Sequence, residues 1–124
     1  MTSGRIEPRR VHKPWGYELI WAHTDRYVGK ILHITAGHEL SLQYHNIKDE
    51  TVHLLSGELI YRVKIDGELR DVHLKAGDSY RLTPGTIHQM EAVTDCDVLE
   101  ASTPELDDVV RISDRYGREG TSAP

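Results

Sequence analysis

Four side chains, in two separate stretches of this sequence, have the types and spacing to hold a metal ion. Gln43 and His45 are two residues apart, so in an extended strand both point to the same face. Glu50 follows five residues later, which leaves room for a short turn and the start of a returning strand. In the second stretch Pro84-Gly85 marks a tight turn, and His88 comes just after it. An amide oxygen, two imidazoles and one carboxylate on one inward face would make a divalent-metal shell with positions left open. Zinc is the first expectation, and the oxygen donors leave manganese, iron, cobalt and nickel open. The bland alternative is a barrel without metal, in which Gln43 is merely hydrogen-bonded inside.

Strands must position these groups. Turn signals recur every eight to twelve residues, at Asp25-Arg26, Ala36-Gly37, Asn46 to Asp49, Ser56-Gly57, Asp66-Gly67, Ala76-Gly77 and Pro84-Gly85. Between them run short β-branched segments, and no segment keeps a helical period. The pattern predicts an all-β barrel or sandwich. Residues 1–12 read as a flexible arm or an edge strand ordered only by a partner. Residues 13–118 read as the domain, and 119–124 as a disordered tail. Within 104–110, Thr103 and Pro104 could cap and open one helical turn.

Gly37, Gln43, His45, Glu50 and Gly57 fall at the spacings of the first motif of the cupin superfamily, with Gln43 in place of its first His. Gly77, Gly85 and His88 match the second motif, while Thr83 and Ala92 replace its Pro and Asn. The chain therefore resembles a cupin over roughly residues 13–103, which implies a jelly-roll β-barrel. Three further peptides narrow the resemblance: Lys13-Pro-Trp-Gly16, Leu40-Ser-Leu-Gln-Tyr-His45, and the segment from Asp107 to Arg118. In this order they resemble the cupin domain of mannose-6-phosphate isomerases of the bifunctional, C-terminal type. The chain departs from that pattern at Asn46, Ile47 and Thr51, where relatives often carry His.

That resemblance implies aldose–ketose isomerisation of a sugar phosphate, with Gln43, His45, Glu50 and His88 as metal ligands. Arg111 and Arg118 would bind phosphate through bidentate guanidinium contacts, and Arg111 is also a catalytic candidate. Against this stands a salt-bridged segment among Asp107, Asp108 and Asp114. Lys30 is a candidate for pocket polarity and catalysis, or else a surface charge at a strand edge. Two rival functions remain: a cupin dioxygenase acting on a small polar substrate, and a non-catalytic metal- or sugar-binding module. His33, His38, His53 and His73 read as surface or satisfied histidines, and Trp15 and Trp21 as packing groups. Pairing through the N-terminal arm would give a homodimer.

Composition sets outer limits. The chain has 124 residues, enough for one core. Its formal net charge of -5 argues against a nucleic-acid surface. No apolar run approaches the ~20 residues of a membrane span, and the polar first ten residues show no secretory signal. One cysteine, Cys96, excludes an internal disulfide and fits a reducing compartment, so a cytoplasmic location is expected.

Overall fold

The computed structural model describes residues 2–124. Eleven strands run in order: β1 (Arg9–Lys13), β2 (Gly16–His23), β3 (Val28–Ile34), β4 (Leu42–Tyr44), β5 (Glu50–Ser56), β6 (Glu58–Ile65), β7 (Glu68–Lys75), β8 (Ser79–Leu82), β9 (His88–Ala92), β10 (Cys96–Ser102) and β11 (Val110–Ser113). They form a six-stranded sheet, β1-β2-β3-β10-β5-β8, and a five-stranded sheet, β11-β4-β9-β6-β7. Every pairing is antiparallel. This is the all-β architecture expected from the turn spacing, in the jelly-roll form that the resemblance implies. No helix occurs among the described residues, so none is long and apolar enough to cross a membrane.

Strand alternation divides the interior into two layers. Inward residues of β3 read Lys30, Leu32, Ile34; those of β10 read Glu100, Val98, Cys96; those of β5 read Glu50, Val52, Leu54; those of β9 read His88, Met90, Ala92. Register places Glu100 opposite Lys30, Val98 opposite Leu32 and Cys96 opposite Ile34. One end of the barrel is therefore an apolar core, joined by Trp15, Leu59, Tyr61 and Leu82. The other end is a layer of buried ionisable groups.

Two glycines are sterically required. A Cβ on Gly57, at φ 94°, would lie 2.3 Å from the Asp95 carbonyl oxygen. One on Gly16 would lie 1.9 Å from that of His33, which lets the Pro-Trp-Gly peptide hug β3 while Trp15 enters the core.

Three expectations change. The N-terminal arm is a strand from Arg9 onward, paired within the chain to β2. Residues 104–109 form consecutive turns rather than a helical turn, with hydrogen bonds from Leu106 N to the Pro104 carbonyl and Asp108 N to Glu105. The segment after them adds β11, which the sequence does not signal because four residues carry too little alternation to register. The tail is also placed: Gly120 N bonds the Arg111 carbonyl and Arg118 reaches the carbonyl of Pro124.

Leu54 is completely buried, whereas its neighbour Leu55 is 48% exposed on the opposite face. Leu54→Ala should cost about 3 kcal/mol through lost transfer energy and a residual cavity, and Leu55→Ala less than about 0.5 kcal/mol. Urea unfolding of the two variants reads the contrast.

Candidate metal centre

His45, Glu50 and His88 converge, with donor atoms all within 4.8 Å of one another. Glu50 opens β5, His88 opens β9, and His45 lies one residue past the end of β4. The Gly85 amide donates to the His45 carbonyl at 2.7 Å, which locks the Pro84-Gly85 turn against the other motif. His45 Nδ1 lies 2.6 Å from the Asp108 carbonyl oxygen, and His88 Nδ1 lies 2.8 Å from that of Thr86. A carbonyl can only accept, so each Nδ1 carries the hydrogen and each Nε2 is left with its lone pair. Those two Nε2 atoms sit 3.3 and 3.4 Å from the same oxygen, Glu50 Oε1. Two oriented imidazole lone pairs and a carboxylate oxygen facing one point fit a divalent metal ion.

Gln43 pairs across the ladder with His88 and lines the same small chamber, of about 50 Å³. Its amide nitrogen makes only a long 3.5 Å bond to the Ser41 carbonyl. The side chain is thus placed beside the three convergent groups.

Sequence reasoning misses what surrounds this site. Lys48 lies 3.1 Å from Glu50 Oε2 and 3.1 Å from Glu100 Oε2. Lys30 lies 3.6 Å from Glu100 and donates to Glu18 at 3.0 Å. Lys30, expected either in the pocket or at a surface edge, is only 5% exposed and faces inward. Burial alone would raise the Glu50 pKa, but it is held well below the usual carboxylate value, with the Lys48 ammonium the largest opposing influence. Burial and the nearby Glu50 charge push Glu100 up despite both lysines. Burial opposes the charge on Lys48 too, yet Glu100 and Glu50 raise its pKa and keep it an ammonium. Lys48 is hidden in the sequence because it sits in a turn, where a lysine normally reads as solvated. Glu100 carries a detectable signal: a charged residue at an inward position of an otherwise apolar strand.

Asp108 does more than the sequence suggests. Its carboxylate accepts bonds from the amides of Asn46, Ile47 and Lys48 at 2.7 to 3.0 Å, so it caps the turn between His45 and Glu50. Its carbonyl fixes the His45 tautomer. Its partial burial raises its pKa, and the three amides more than reverse this, leaving it lowered.

The small chamber shares Glu18, Lys30, Leu40, Gln43, His45 and Lys48 with a larger cavity of about 170 Å³ above it. That cavity is walled by β1, through Arg9, Val11 and Lys13, and by the C-terminal segment, through Arg111 and Arg118. Arg111 lies on β11 directly opposite Gln43, and its Nη1 donates to the Thr121 carbonyl. Arg118 is committed to Asp114 through a two-pronged ion pair at 2.8 and 3.1 Å. The salt-bridged reading of this segment therefore holds for Arg118 and not for Arg111, which has no ion pair among the described residues. Trp15 is packed in the core, and His33, His38 and His53 bond Asp97, Tyr116 and Ser79 instead of joining the metal centre.

Residues 30–101 match the cupin domain family. The chain belongs to the cupins. It is 36% identical over 94% of its length to a mannose-1-phosphate guanylyltransferase of Escherichia coli strain K12, of which it covers 25%. It is 36% identical over 89% of its length to mannose-1-phosphate guanylyltransferase ManC of Salmonella typhimurium strain LT2, of which it covers 23%. This cupin thus spans about a quarter of the length of those relatives. The oxalate decarboxylase of Bacillus subtilis superposes with a TM-score of 0.76 at 12% identity, over 86% of this chain and 30% of that one. At that identity the likeness concerns the barrel alone.

Two outcomes test the centre. In the purified cupin, His45→Ala and His88→Ala should each remove most of the bound metal, and Gln43→Ala should weaken it by about tenfold, read by elemental analysis and chelator competition. Asp108 has a lowered pKa in the folded state, so its stabilisation is present above the unfolded value near 4 and fades as pH falls through the folded value. Asp108→Asn should cost about 1 kcal/mol at pH 7, a gap that narrows when urea titrations are repeated near pH 3.

Proposed function

We propose that this cupin is a metal-dependent isomerase that interconverts the aldose and ketose forms of a phosphorylated sugar of the mannose 6-phosphate kind. The observation that carries this reading is the stacking of two chambers. Metal-capable donors form the floor, and a cavity bordered by cations and by two carboxylates, Glu18 and Asp107, opens directly above. The resemblance of the Lys13–Gly16, Leu40–His45 and Asp107–Arg118 peptides to mannose-6-phosphate isomerases supports the same substrate class.

His45, Glu50, His88 and Gln43 would hold the ion, zinc being the first candidate for two imidazoles with oxygen donors. When bound, the ion supplies a Lewis acid for the sugar's carbonyl and hydroxyl oxygens. The remaining roles belong to the chain. Isomerisation requires a base that takes a proton from the carbon next to the carbonyl and returns it to the neighbouring carbon. Glu18 suits that role. It lines both chambers, and although burial opposes its charge, Lys30 and Lys13 lower its pKa and keep it ionised. Lys30 then acts through Glu18, because its ammonium is engaged between Glu18 and Glu100. Lys48 stays cationic at the rim of the floor, where it favours negative charge developing on a substrate oxygen. The half-buried wall of β1 limits water at the reacting carbons.

Incubation of the zinc-loaded cupin with mannose 6-phosphate in deuterated water should place deuterium on the sugar carbon. Glu18→Gln should slow that exchange by at least about 100-fold while leaving metal content unchanged. No deuterium in mannose 6-phosphate or in other aldose phosphates would overturn the isomerase reading.

A further inference from the structure

Glu100 stands midway along a line of buried charges. It is buried and points inward from β10, which runs between β3 and β5. Two ammoniums reach the same oxygen of it, Oε2: Lys48 at 3.1 Å and Lys30 at 3.6 Å. Neither is aligned as a hydrogen bond, since that oxygen has no hydrogen-bond partner among the described residues. Each lysine also holds a second carboxylate. Lys48 lies 3.1 Å from Glu50 Oε2, and Lys30 donates to Glu18 at 3.0 Å. Glu100 therefore sits between a metal-capable carboxylate and the carboxylate assigned as base, and shares one lysine with each.

The ladders fix this arrangement. Lys30 lies directly opposite Glu100 across β3 and β10. Val52 lies opposite it across β5, and Glu50 is two residues along that strand on the same inward face. Lys48 comes from the turn that Asp108 clamps, with its amide bonded at 2.9 Å. The two oxygens of Glu50 are divided: Oε1 faces the imidazole nitrogens, and Oε2 faces Lys48. An ammonium on the outer oxygen draws charge away from the oxygen that would meet a metal ion. Outer partners of this kind change metal affinity by about 10- to 100-fold. Glu100 competes with Glu50 for that ammonium. The more of Lys48 it takes, the more charge Glu50 presents to a cation, and the weaker its own hold on Lys30. Lys30 then turns to Glu18. The effect changes sign at each link and fades along the line.

We propose that Glu100 is a positioning residue that couples the metal centre to Glu18, by dividing Lys48 and Lys30 between their two carboxylates. The metal end rests on the geometry of the site alone, whereas the Glu18 end rests on the isomerase reading. Coupling between two sites is reciprocal, so a metal ion at Glu50 strengthens the Lys30–Glu18 pair.

Zinc affinity of the full chain, measured by chelator competition, tests the metal end. Lys48→Met should tighten zinc by about tenfold, Glu100→Gln should weaken it by about tenfold, and Lys30→Met should tighten it by about threefold. A fold defect would weaken all three. Field effects that bypass Lys48 are separated by combining Glu100→Gln with Lys48→Met. Without the shared lysine, loss of the Glu100 charge should change zinc affinity by less than about twofold. A weakening that persists in the double variant, no effect of Glu100→Gln in the parent chain, or a parent chain that binds no zinc would each overturn the proposal. If Glu100→Gln fails to fold, Lys30→Met supplies the same comparison, and tightening that survives the loss of Lys48 would overturn it. For the Glu18 end, the rate of deuterium entry into mannose 6-phosphate is followed in zinc-saturated Glu100→Gln. Its kcat should fall by about tenfold with KM within about twofold, because Glu18 paired with Lys30 alone is a weaker base. An unchanged kcat would overturn the link to Glu18. Loss of the Glu100 effect in the double variant, without deuterium entry in the parent chain, would leave the metal coupling standing and remove the isomerase. Deuterium entry in the parent chain, with the Glu100 effect persisting in the double variant, would do the reverse.

Discussion

A chain of buried charges governs this barrel. Glu18, Lys30, Glu100, Lys48 and Glu50 follow one another at 3.0 to 3.6 Å inside one end of the jelly roll. Taking such groups from water costs several kcal/mol each, and only near-complete pairing offsets it. Three carboxylates against two ammoniums leave one negative charge in excess before Lys13 is counted. That excess is what a cation at His45, Glu50 and His88 would meet. Replacing one member with an apolar residue would strand its neighbours, so the network constrains five positions together.

The apolar layer below serves stability and register. Leu32, Val52, Leu54, Val98 and Met90 fill the other end of the barrel and fix how the strands align. A slip of one residue in β5, β9, β10 or β3 would turn outward the Glu50, His88, Glu100 or Lys30 that the strand carries. Stability and site geometry are thus coupled through strand alternation. Loops close the arrangement. Asp108 clamps the turn that carries Lys48, and the Pro84-Gly85 turn is bonded to His45, so both metal-bearing stretches are tied to the same small region.

The upper cavity depends on the ends of the described chain. β1 and the segment from Val109 to Pro124 form opposite walls of it. In sequence these stretches look like an arm, a helical turn and a disordered tail, because each is short and lacks alternation. Their order comes from tertiary partners: the β2 edge for Arg9–Lys13, β4 for Val110–Ser113, and the Asp114–Arg118 pair for the last turn. Local propensity carries none of that information.

By itself the sequence determined the barrel class, most strand limits and the grouping of Gln43, His45, Glu50 and His88. The barrel class and strand limits rest on period-two alternation and on glycine and proline turns, which are local properties of the chain, and the grouping rests on the resemblance of the two stretches to the cupin motifs. Only the tertiary structure decided that Lys30 faces Glu18 and Glu100, that Lys48 turns inward, and that Arg118 is matched while Arg111 is not. Those outcomes depend on which distant carboxylate lies within about 4 Å, and Coulomb pairing at that range is set by register between strands far apart in the chain.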